Sequence, residues 1–183
     1  RKEIDALMAS RVIDQGENRV LVIGDVHAPF GREDYLQFCI DTYNKYNCNK
    51  VVFIGDIIDS HFGSFHITDP DGMGGGAELE LAIEQIQEWY KAFPDADVTI
   101  GNHDAIIMRK AFDSGVPAIW IKSFNDVLGT PGWRWVNDVI IDDVRYVHGH
   151  KSSKARTAAK RDMQSTVTGH FHTDMYVDWM FGA

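Results

Sequence analysis

The chain has 183 residues, a length that suits one well-packed domain, and we predict a single domain over residues 1–183. With 44% apolar residues, no run of about 18 of them and only two cysteines, the sequence argues against a membrane-spanning segment and a disulfide scaffold, so we expect a reducing, cytoplasmic setting. The formal net charge of -9 argues against a protein whose whole surface binds nucleic acid.

The first third of the chain predicts two buried strands joined by a helix. Arg1 to Ser10 has a weak helical pattern, and we interpret Val12 to Arg19 as a loop. Val20 to His27 is a first buried strand with its loop, and Val51 to Ile54 is a second. A helix at about Glu33 to Tyr46 connects them. This spacing is typical of a βαβ unit, in which the strands are parallel and their carboxyl ends are neighbours.

The middle of the chain predicts a loop, two helices and a short strand. Ser60 to Gly76 is expected to be a flexible lid or linker, because its glycines lack the ending of a phosphate-binding loop. Ala77 to Phe93 has the clearest helical periodicity. Asp97 to Ile100 is a third strand, followed by a helix through about Phe112. Pro117 to Leu128 has one apolar face, and we expect it to cover the sheet.

From Trp133 the pattern changes to that of short antiparallel strands, which we expect to form a second sheet packed on the first: Trp133 to Val136, Val139 to Ile141 and Val144 to Val147. A small basic helix follows His150, and a strand at Thr166 to Thr168 comes next. Met175 to Phe181 alternates in polarity and predicts a terminal edge strand or a contact in a homo-oligomer, unless the chain is a fragment truncated at its C-terminal end. The predicted fold is an α/β sandwich of two mixed sheets flanked by helices.

Residue types that bind metal ions follow five of these strands. They are Asp25, His27, Asp56, Asn102, His148, His170 and His172. Carboxylate, imidazole and amide oxygen without thiolate suit manganese, iron, zinc, cobalt or nickel. Seven ligands are too many for one ion, but they fit two ions about 3.5–4 Å apart with one bridging carboxylate. Glycines adjoin the ligands, as expected where backbones crowd one small site, at positions 24, 55, 101, 149 and 169.

The order of these motifs closely resembles that of the calcineurin-like metallophosphoesterase superfamily over residues 20–172: Asp-x-His, Gly-Asp-x-x-Asp, Gly-Asn-His-Asp, His-Gly and Gly-His-x-His. The resemblance implies a metallophosphoesterase-type sandwich of two mixed sheets flanked by helices. It also implies two divalent ions, for which we expect manganese ahead of iron, zinc, nickel or cobalt. One ion would be held by Asp25, His27, Asp56 and His172. The other would be held by Asp56, Asn102, His148 and His170, with Asp56 as the bridge.

The resemblance further implies how the reaction proceeds. A hydroxide shared by the two ions would attack phosphorus in line. His103 would donate a proton to the leaving oxygen, and Asp59 would be the carboxylate that orients it. Protein phosphatases of the superfamily carry Asp-Arg-Gly where this chain has Asp59-Ser60-His61, which argues against a phosphoprotein substrate. We predict a phosphodiesterase or nuclease, with a small-molecule phosphomonoesterase as the alternative. A non-catalytic metal-binding scaffold is a third interpretation, against which the complete ligand set argues.

A basic segment lies just past His148 and suggests a substrate class. It comprises Lys151, Lys154, Arg156, Lys160 and Arg161. The segment is either a solvated helix face or a contact for a phosphate backbone such as that of nucleic acid. Three other histidines lack a complete motif: His61 and His66 are interpreted as solvated, and His150 is left open between a solvated and a functional role. The tryptophans at 120, 133 and 135 are expected to pack against the core and the sheets.

Overall fold

The computed structural model describes residues 11–14, 16–64, 72–149, 155–173 and 175–179. Its strands form two four-stranded sheets, with bounds β1 Arg11–Asp14, β2 Val20–Ile23, β3 Lys50–Phe53, β4 Ala96–Thr99, β5 Trp133–Val136, β6 Asp138–Ile141, β7 Val144–Val147 and β8 Ser165–Thr168. The α-helices are α1 Tyr35–Lys45, α2 Gly75–Ala92, α3 Ile106–Asp113, α4 Phe124–Leu128 and α5 Ala155–Asp162. Two 3-10 helices span His61–Gly63 and Ala118–Trp120. None of the helices in these ranges is long and apolar enough to cross a membrane.

The first sheet has the order β2-β3-β4-β5, and all its strands are parallel. The predicted βαβ unit is confirmed, since α1 connects β2 to β3. Strand β3 is buried along its apolar residues because helices cover one face and the second sheet covers the other. Aromatic rings of Phe53, Trp89, Phe93 and Trp133 pack edge to face or tilted on the helical side, and the indole of Trp133 donates to the carbonyl of Phe93 at 2.8 Å.

The second sheet has the order β1-β6-β7-β8 and is mixed. Only the β6–β7 hairpin is antiparallel, whereas β1 pairs parallel with β6 and β8 pairs parallel with β7. Apolar side chains from the facing sheets form the core between them: Val52, Ile54, Val136, Val139, Ile141 and Tyr146. The two sheets flanked by helices therefore confirm the predicted α/β sandwich, but only the second of the two sheets is mixed.

Two strand predictions were wrong. Strand β5 does not begin the antiparallel sheet, because Trp133–Val136 pairs parallel with β4 as the edge of the first sheet. The segment predicted as a loop from Val12 contains β1, whose partner β6 lies more than 120 residues further on. The carboxylate of Asp142 fixes the turn after β1 by accepting the backbone N–H groups of Gly16 at 2.7 Å and Asn18 at 3.1 Å. Such pairings depend on distant segments, so the local pattern does not predict them.

Three further segments differ from their predictions. Glycines 74–76 begin helix α2, with Gly74 as its N-cap, so the end of the expected lid is helical. The apolar face of Pro117 to Leu128 covers the sheet only in part, since Ile119 is 91% exposed and Trp120 is also exposed. Residues 175–179 carry no strand, against the predicted edge strand. The predicted helix at 1–10 and the histidines 66 and 150 lie outside the described residues.

Candidate metal centre

The loops after β2 and β3 continue the parallel pairing of their strands. The backbone N–H of His27 donates to the Asp56 carbonyl at 2.9 Å, and that of Asp25 donates to the Gly55 carbonyl at 3.3 Å. The loop residues Asp25, His27 and Asp56 consequently lie side by side at the carboxyl edge of the sheet. This is the edge at which open α/β sheets bind ligands.

A buried carboxylate that sequence reasoning left without a role, Asp104, fixes the loop that carries Asp56. Its two oxygens accept the backbone N–H groups of Asp56 at 2.9 Å, Ile57 at 2.9 Å, Ile58 at 3.3 Å and Gly101 at 2.8 Å. Burial and the nearby charge of Asp56 raise the pKa of Asp104 to about 6, while N–H donors from the backbone oppose the shift. The only sequence feature that could have indicated a role for Asp104 was its place in Gly-Asn-His-Asp, because its contacts depend on the tertiary fold.

A first group of predicted ligands, termed the buried cluster, consists of Asp56, Asn102, His148 and His170. The Nε2 atom of His148 lies 3.1 Å from Asp56 Oδ2, 2.9 Å from Asn102 Oδ1 and 3.2 Å from His170 Nδ1. His148 is 0% exposed and Asp56 is 2% exposed. Two donor atoms bound to one ion at about 2.1 Å would be about 3–3.4 Å apart, so these separations suit a shared cation.

A second group, termed the outer cluster, consists of Asp25, His27 and His172. One ligand atom of each lies within 4.8 Å of the others, and His172 Nε2 is 3.5 Å from Asp25 Oδ1. The side chain of His172 is 57% exposed. Asp56 Oδ2 connects the two groups, since it lies 3.8 Å from His27 Nε2 as well as 3.1 Å from His148 Nε2. The structure thus brings all seven predicted ligands together, with Asp56 between the two groups.

The hydrogen bonds behind two of the imidazoles fit metal ligation. His27 Nδ1 contacts Asp59 Oδ1 at 2.7 Å, and His148 Nδ1 contacts the Ile54 carbonyl at 2.8 Å. Each acceptor favours a proton on Nδ1, which leaves the Nε2 lone pair directed into the site. His27 Nε2 is buried and has no hydrogen-bond partner within the described residues. A buried nitrogen of this kind, among carboxylate, amide and imidazole groups, fits a divalent cation.

The pKa values of the clustered side chains point the same way. Burial by itself would lower the pKa of His148, but the hydrogen bond and charge of Asp56 raise it overall. Burial would also lower the pKa of His27, but the Asp59 hydrogen bond and the surrounding carboxylates raise it overall. Conversely, burial would raise the pKa of Asp56, but His148 lowers it. Burial and the neighbouring His148 lower the pKa of His170. Carboxylates therefore favour positive charge at this site, whether carried by protons or by cations.

The predicted catalytic pair, His103 and Asp59, lies beside His27. The rings of His27 and His103 meet edge to face, with centroids 4.6 Å apart. The carboxylate of Asp59 hydrogen-bonds His27, whereas it is 3.7 Å from His103 Nδ1. The backbone carbonyl of Asp59 contacts His103 Nδ1 at 2.5 Å instead. Asp59 thus orients both imidazoles, but it holds His103 through its main chain and not through the carboxylate that the resemblance implied.

Backbone strain is concentrated in these loops. Non-glycine residues with positive φ in the site are Asp25, His27, Asp56, Ser60 and His170. A left-handed conformation costs a non-glycine residue about 1–2 kcal/mol, so the surrounding contacts must hold it in place. Two positions next to ligands in the chain also require glycine because other ligands approach them closely. A Cβ on Gly101 would collide with Asp56, and one on Gly169 would collide with the carboxylate of Asp25.

The basic segment is only partly described, since Lys151 and Lys154 lie outside the described residues. In helix α5, Arg156 pairs with Asp178 at 2.6 Å and Arg161 pairs with Asp162 at 2.7 Å. Lys160 is exposed. Much of the positive charge of this helix is therefore offset by neighbouring carboxylates. His61 is half-buried at the start of a 3-10 helix, against its predicted solvated state.

Comparisons with known proteins agree with this geometry. Residues 18–182 match the family model of the calcineurin-like phosphoesterases, a range that contains every predicted ligand together with His103 and Asp59. A comparison with curated proteins found no significant match. The matched range covers most of the chain, and the clustered histidine and acidic residues are those that could hold metal ions. The chain belongs to the calcineurin-like phosphoesterase family and is a metal-dependent hydrolase of phosphoester bonds.

Proposed function

We propose that this protein is a phosphodiesterase that uses two divalent cations, with manganese as the preferred ion. The observation that carries the proposal is the position of Asp56 Oδ2 between His27 Nε2 and His148 Nε2, at 3.8 and 3.1 Å. A single carboxylate oxygen between two imidazole nitrogens supports a role for Asp56 as a bridge between two neighbouring cations. When bound, the cations would supply Lewis acidity toward a phosphoryl oxygen and toward the attacking water.

The roles of the side chains follow from their surroundings. Asp25, His27, Asp56 and His172 would hold one cation, and Asp56, Asn102, His148 and His170 would hold the other. Asp59 and the Ile54 carbonyl keep the protons of His27 and His148 on Nδ1, so that both Nε2 atoms face the site. The Asp59 carbonyl contacts His103 at Nδ1, so Nε2 is the ring nitrogen left for the substrate. From Nε2, His103 would protonate the leaving oxygen.

The charge around the site favours a diester over a monoester. Within the described part of the chain, the hydrogen bonds and ion pairs of the seven ligands, Asp59 and His103 involve no arginine or lysine. Ser60, which stands where related protein phosphatases have arginine, is buried. A phosphomonoester carries about one more negative charge than a diester near neutral pH, because its second pKa is about 6. Site residues that contact no cationic side chain in the described part of the chain support the substrate with less charge.

Nucleic acid remains the proposed form of the diester, through Lys151, Lys154, Arg156, Lys160 and Arg161. The ion pairs of Arg156 and Arg161 weaken this part of the proposal. The oligonucleotide test needs a variant that binds metal but cleaves slowly, and Asp56→Asn does not suit it because that variant is expected to lose metal.

Oligonucleotide binding should therefore be measured with metal-loaded His103→Ala at several salt concentrations. We expect a slope of log affinity against log salt of about -0.7 per phosphate contacted on single strands. Lys160→Ala should reduce the slope, and an unchanged slope would remove nucleic acid as the substrate class.

A substrate panel tests the central proposal. Bis(4-nitrophenyl) phosphate, 4-nitrophenyl phosphate, a cyclic nucleotide and an oligonucleotide would each be assayed with Mn²⁺ and then with excess chelator. We expect the diester to be hydrolysed with a higher kcat/KM than the monoester, and chelator to abolish both activities. A monoester preference would overturn the substrate proposal, and full activity in chelator would overturn the proposed use of cations.

A further inference from the structure

A cavity of about 580 Å³ adjoins the loops of the metal centre and lies between helices α2, α3 and α4 and the edge strand β5. Its walls include Leu79, Met108, Val127, Trp133 and Trp135. None of the nine predicted site residues lines it, although all nine lie in the described part of the chain. Small-molecule sites commonly have volumes of about 300–1,000 Å³, so this cavity has the size of a ligand pocket.

The walls are mainly apolar and aromatic, and two buried polar atoms in the lining residues have no hydrogen-bond partner among the described residues. Phe124 stacks on Trp135 with centroids 4.2 Å apart, and Trp133 is almost fully buried. The Ser60 hydroxyl and the Trp135 indole nitrogen are buried and have no hydrogen-bond partner among the described residues. Ser60 is 2% exposed. A buried donor without a partner is unfavourable, and a ligand with an acceptor group would supply that partner.

The charged groups of the lining differ in what they can offer a ligand. Glu78 is occupied by the backbone N–H groups of His61 and Phe62, at 2.7 and 3.1 Å. Asp104 is likewise occupied by the backbone donors of the metal centre. Arg134 pairs with Asp97 at 2.6 Å. Lys122 is exposed at the rim and has no ion-pair or hydrogen-bond partner within the described residues. The group left to meet a ligand's charge is therefore a cation.

We propose that this cavity is a second ligand site, which binds a small, largely apolar organic anion. The apolar body contacts the aromatic walls, an acceptor atom meets Ser60 or Trp135, and the anionic group lies beside Lys122. The site is independent of the bound cations, because no predicted metal ligand lines it. It nevertheless adjoins the catalytic loops, since Ala28, Ser60 and Asp104 line it and are chain neighbours of His27, Asp59 and His103.

The test uses 8-anilinonaphthalene-1-sulfonate, an apolar aromatic anion whose fluorescence rises in apolar surroundings. We expect saturable binding of one probe per chain, competition by decanoate, and the same affinity with Mn²⁺ and with chelator. Two leucines of α2 provide a matched pair, because Leu79 lines the cavity and Leu81 is an exposed residue outside it. Leu79→Trp should weaken binding by about tenfold or more through steric filling, and Leu81→Trp should leave it unchanged.

The charge is tested by a second matched pair. Lys122→Gln should weaken binding by about two- to fivefold, the range of an exposed ion pair. Lys45→Gln, which removes an exposed charge from the end of α1, should have no effect. Circular dichroism would check folding, and Lys122→Gln decides the question if Leu79→Trp is unfolded. The proposal would be overturned by unchanged affinity in Leu79→Trp and Lys122→Gln, or by equal losses in both control variants. Because binding is measured with chelator as well, its outcome is separate from that of the phosphodiesterase assay.

Discussion

The two ligand groups of the metal centre differ most in their contact with solvent. In the buried cluster, His148 is completely enclosed and its Nδ1 is held by the Ile54 carbonyl. In the outer cluster, His172 is largely exposed, and its Nε2 lies 3.5 Å from Asp25 Oδ1. An enclosed ligand with a fixed ring loses little freedom when it binds a cation, whereas an exposed ring must be ordered. The buried cluster should therefore hold its cation more tightly than the outer cluster.

The largest expected effect comes from the residue that both clusters share. Asp56→Asn should abolish hydrolysis and reduce bound metal at both positions, because a neutral amide cannot bridge two cations as a carboxylate does. Metal analysis of the purified variant and the hydrolysis rate with Mn²⁺ provide the measurement. Two ions retained per chain, together with a near-normal rate, would disprove the bridging role and with it the link between the clusters.

The next effect separates chemistry from metal binding. His103→Ala should retain both metals and lose about 10²–10⁴-fold in rate on diesters with poor leaving groups, because the proton donor is missing. On a nitrophenyl ester the loss should be much smaller, since that leaving group needs little protonation. Measuring kcat on both esters checks the role. Equal losses on the two substrates, or loss of one metal, would contradict it.

Removing one histidine from each cluster tests which cluster holds its cation more tightly. His172→Ala should lower affinity for one cation only, by at least the 10–100-fold or so that loss of an outer-shell partner causes, and added Mn²⁺ should restore activity. His148→Ala should also destabilise the fold, because it opens a cavity in a fully buried position. Metal titration by calorimetry and thermal unfolding of both metal-free variants would show the difference. If the ion retained by His172→Ala were bound more weakly than the ion retained by His148→Ala, the ranking of the clusters would be reversed.

The smallest effect concerns the group behind His27. Asp59→Asn keeps an oxygen acceptor for His27 Nδ1 but removes the negative charge, so metal affinity should fall by about tenfold, the lower end for outer-shell changes. In Asp59→Ala, which also removes the hydrogen bond, metal affinity should fall further, by up to about 100-fold. Because His103 is held by the backbone carbonyl of Asp59, both variants should retain the leaving-group dependence of the wild type. A rate loss confined to poor leaving groups would restore the carboxylate as the group that orients His103.

Residue types and local spacing were sufficient to predict the parallel strands and the ligands that follow them. The apolar runs at Val20 and Val51, with a helix between them, predicted two parallel strands, and parallel strands place their carboxyl ends together. Asp25, His27 and Asp56 follow those ends directly, so their proximity needed no further knowledge. Family resemblance then predicted how the ligands divide between two ions, and the two clusters are compatible with that division.

Other features depend on residues that are far apart in the chain. The membership of β1 and β5 in their sheets is decided by backbone hydrogen bonds to strands elsewhere, and a four-residue pattern contains no record of its partner. The exposure of Ile119 and Trp120 was missed for the same reason, because an apolar face is buried only if another element covers it.

By itself the sequence determined which side chains can bind metals and that several of them lie at strand ends, because both depend on residue type and short-range geometry. Only the tertiary structure decided that the Asp59 carboxylate orients His27, that its carbonyl holds His103, and that Asp104 fixes the loop of Asp56. Those assignments depend on hydrogen bonds that operate within about 3 Å. Which atoms come that close is settled by how the loops pack against one another, and not by the order of residues within any one loop.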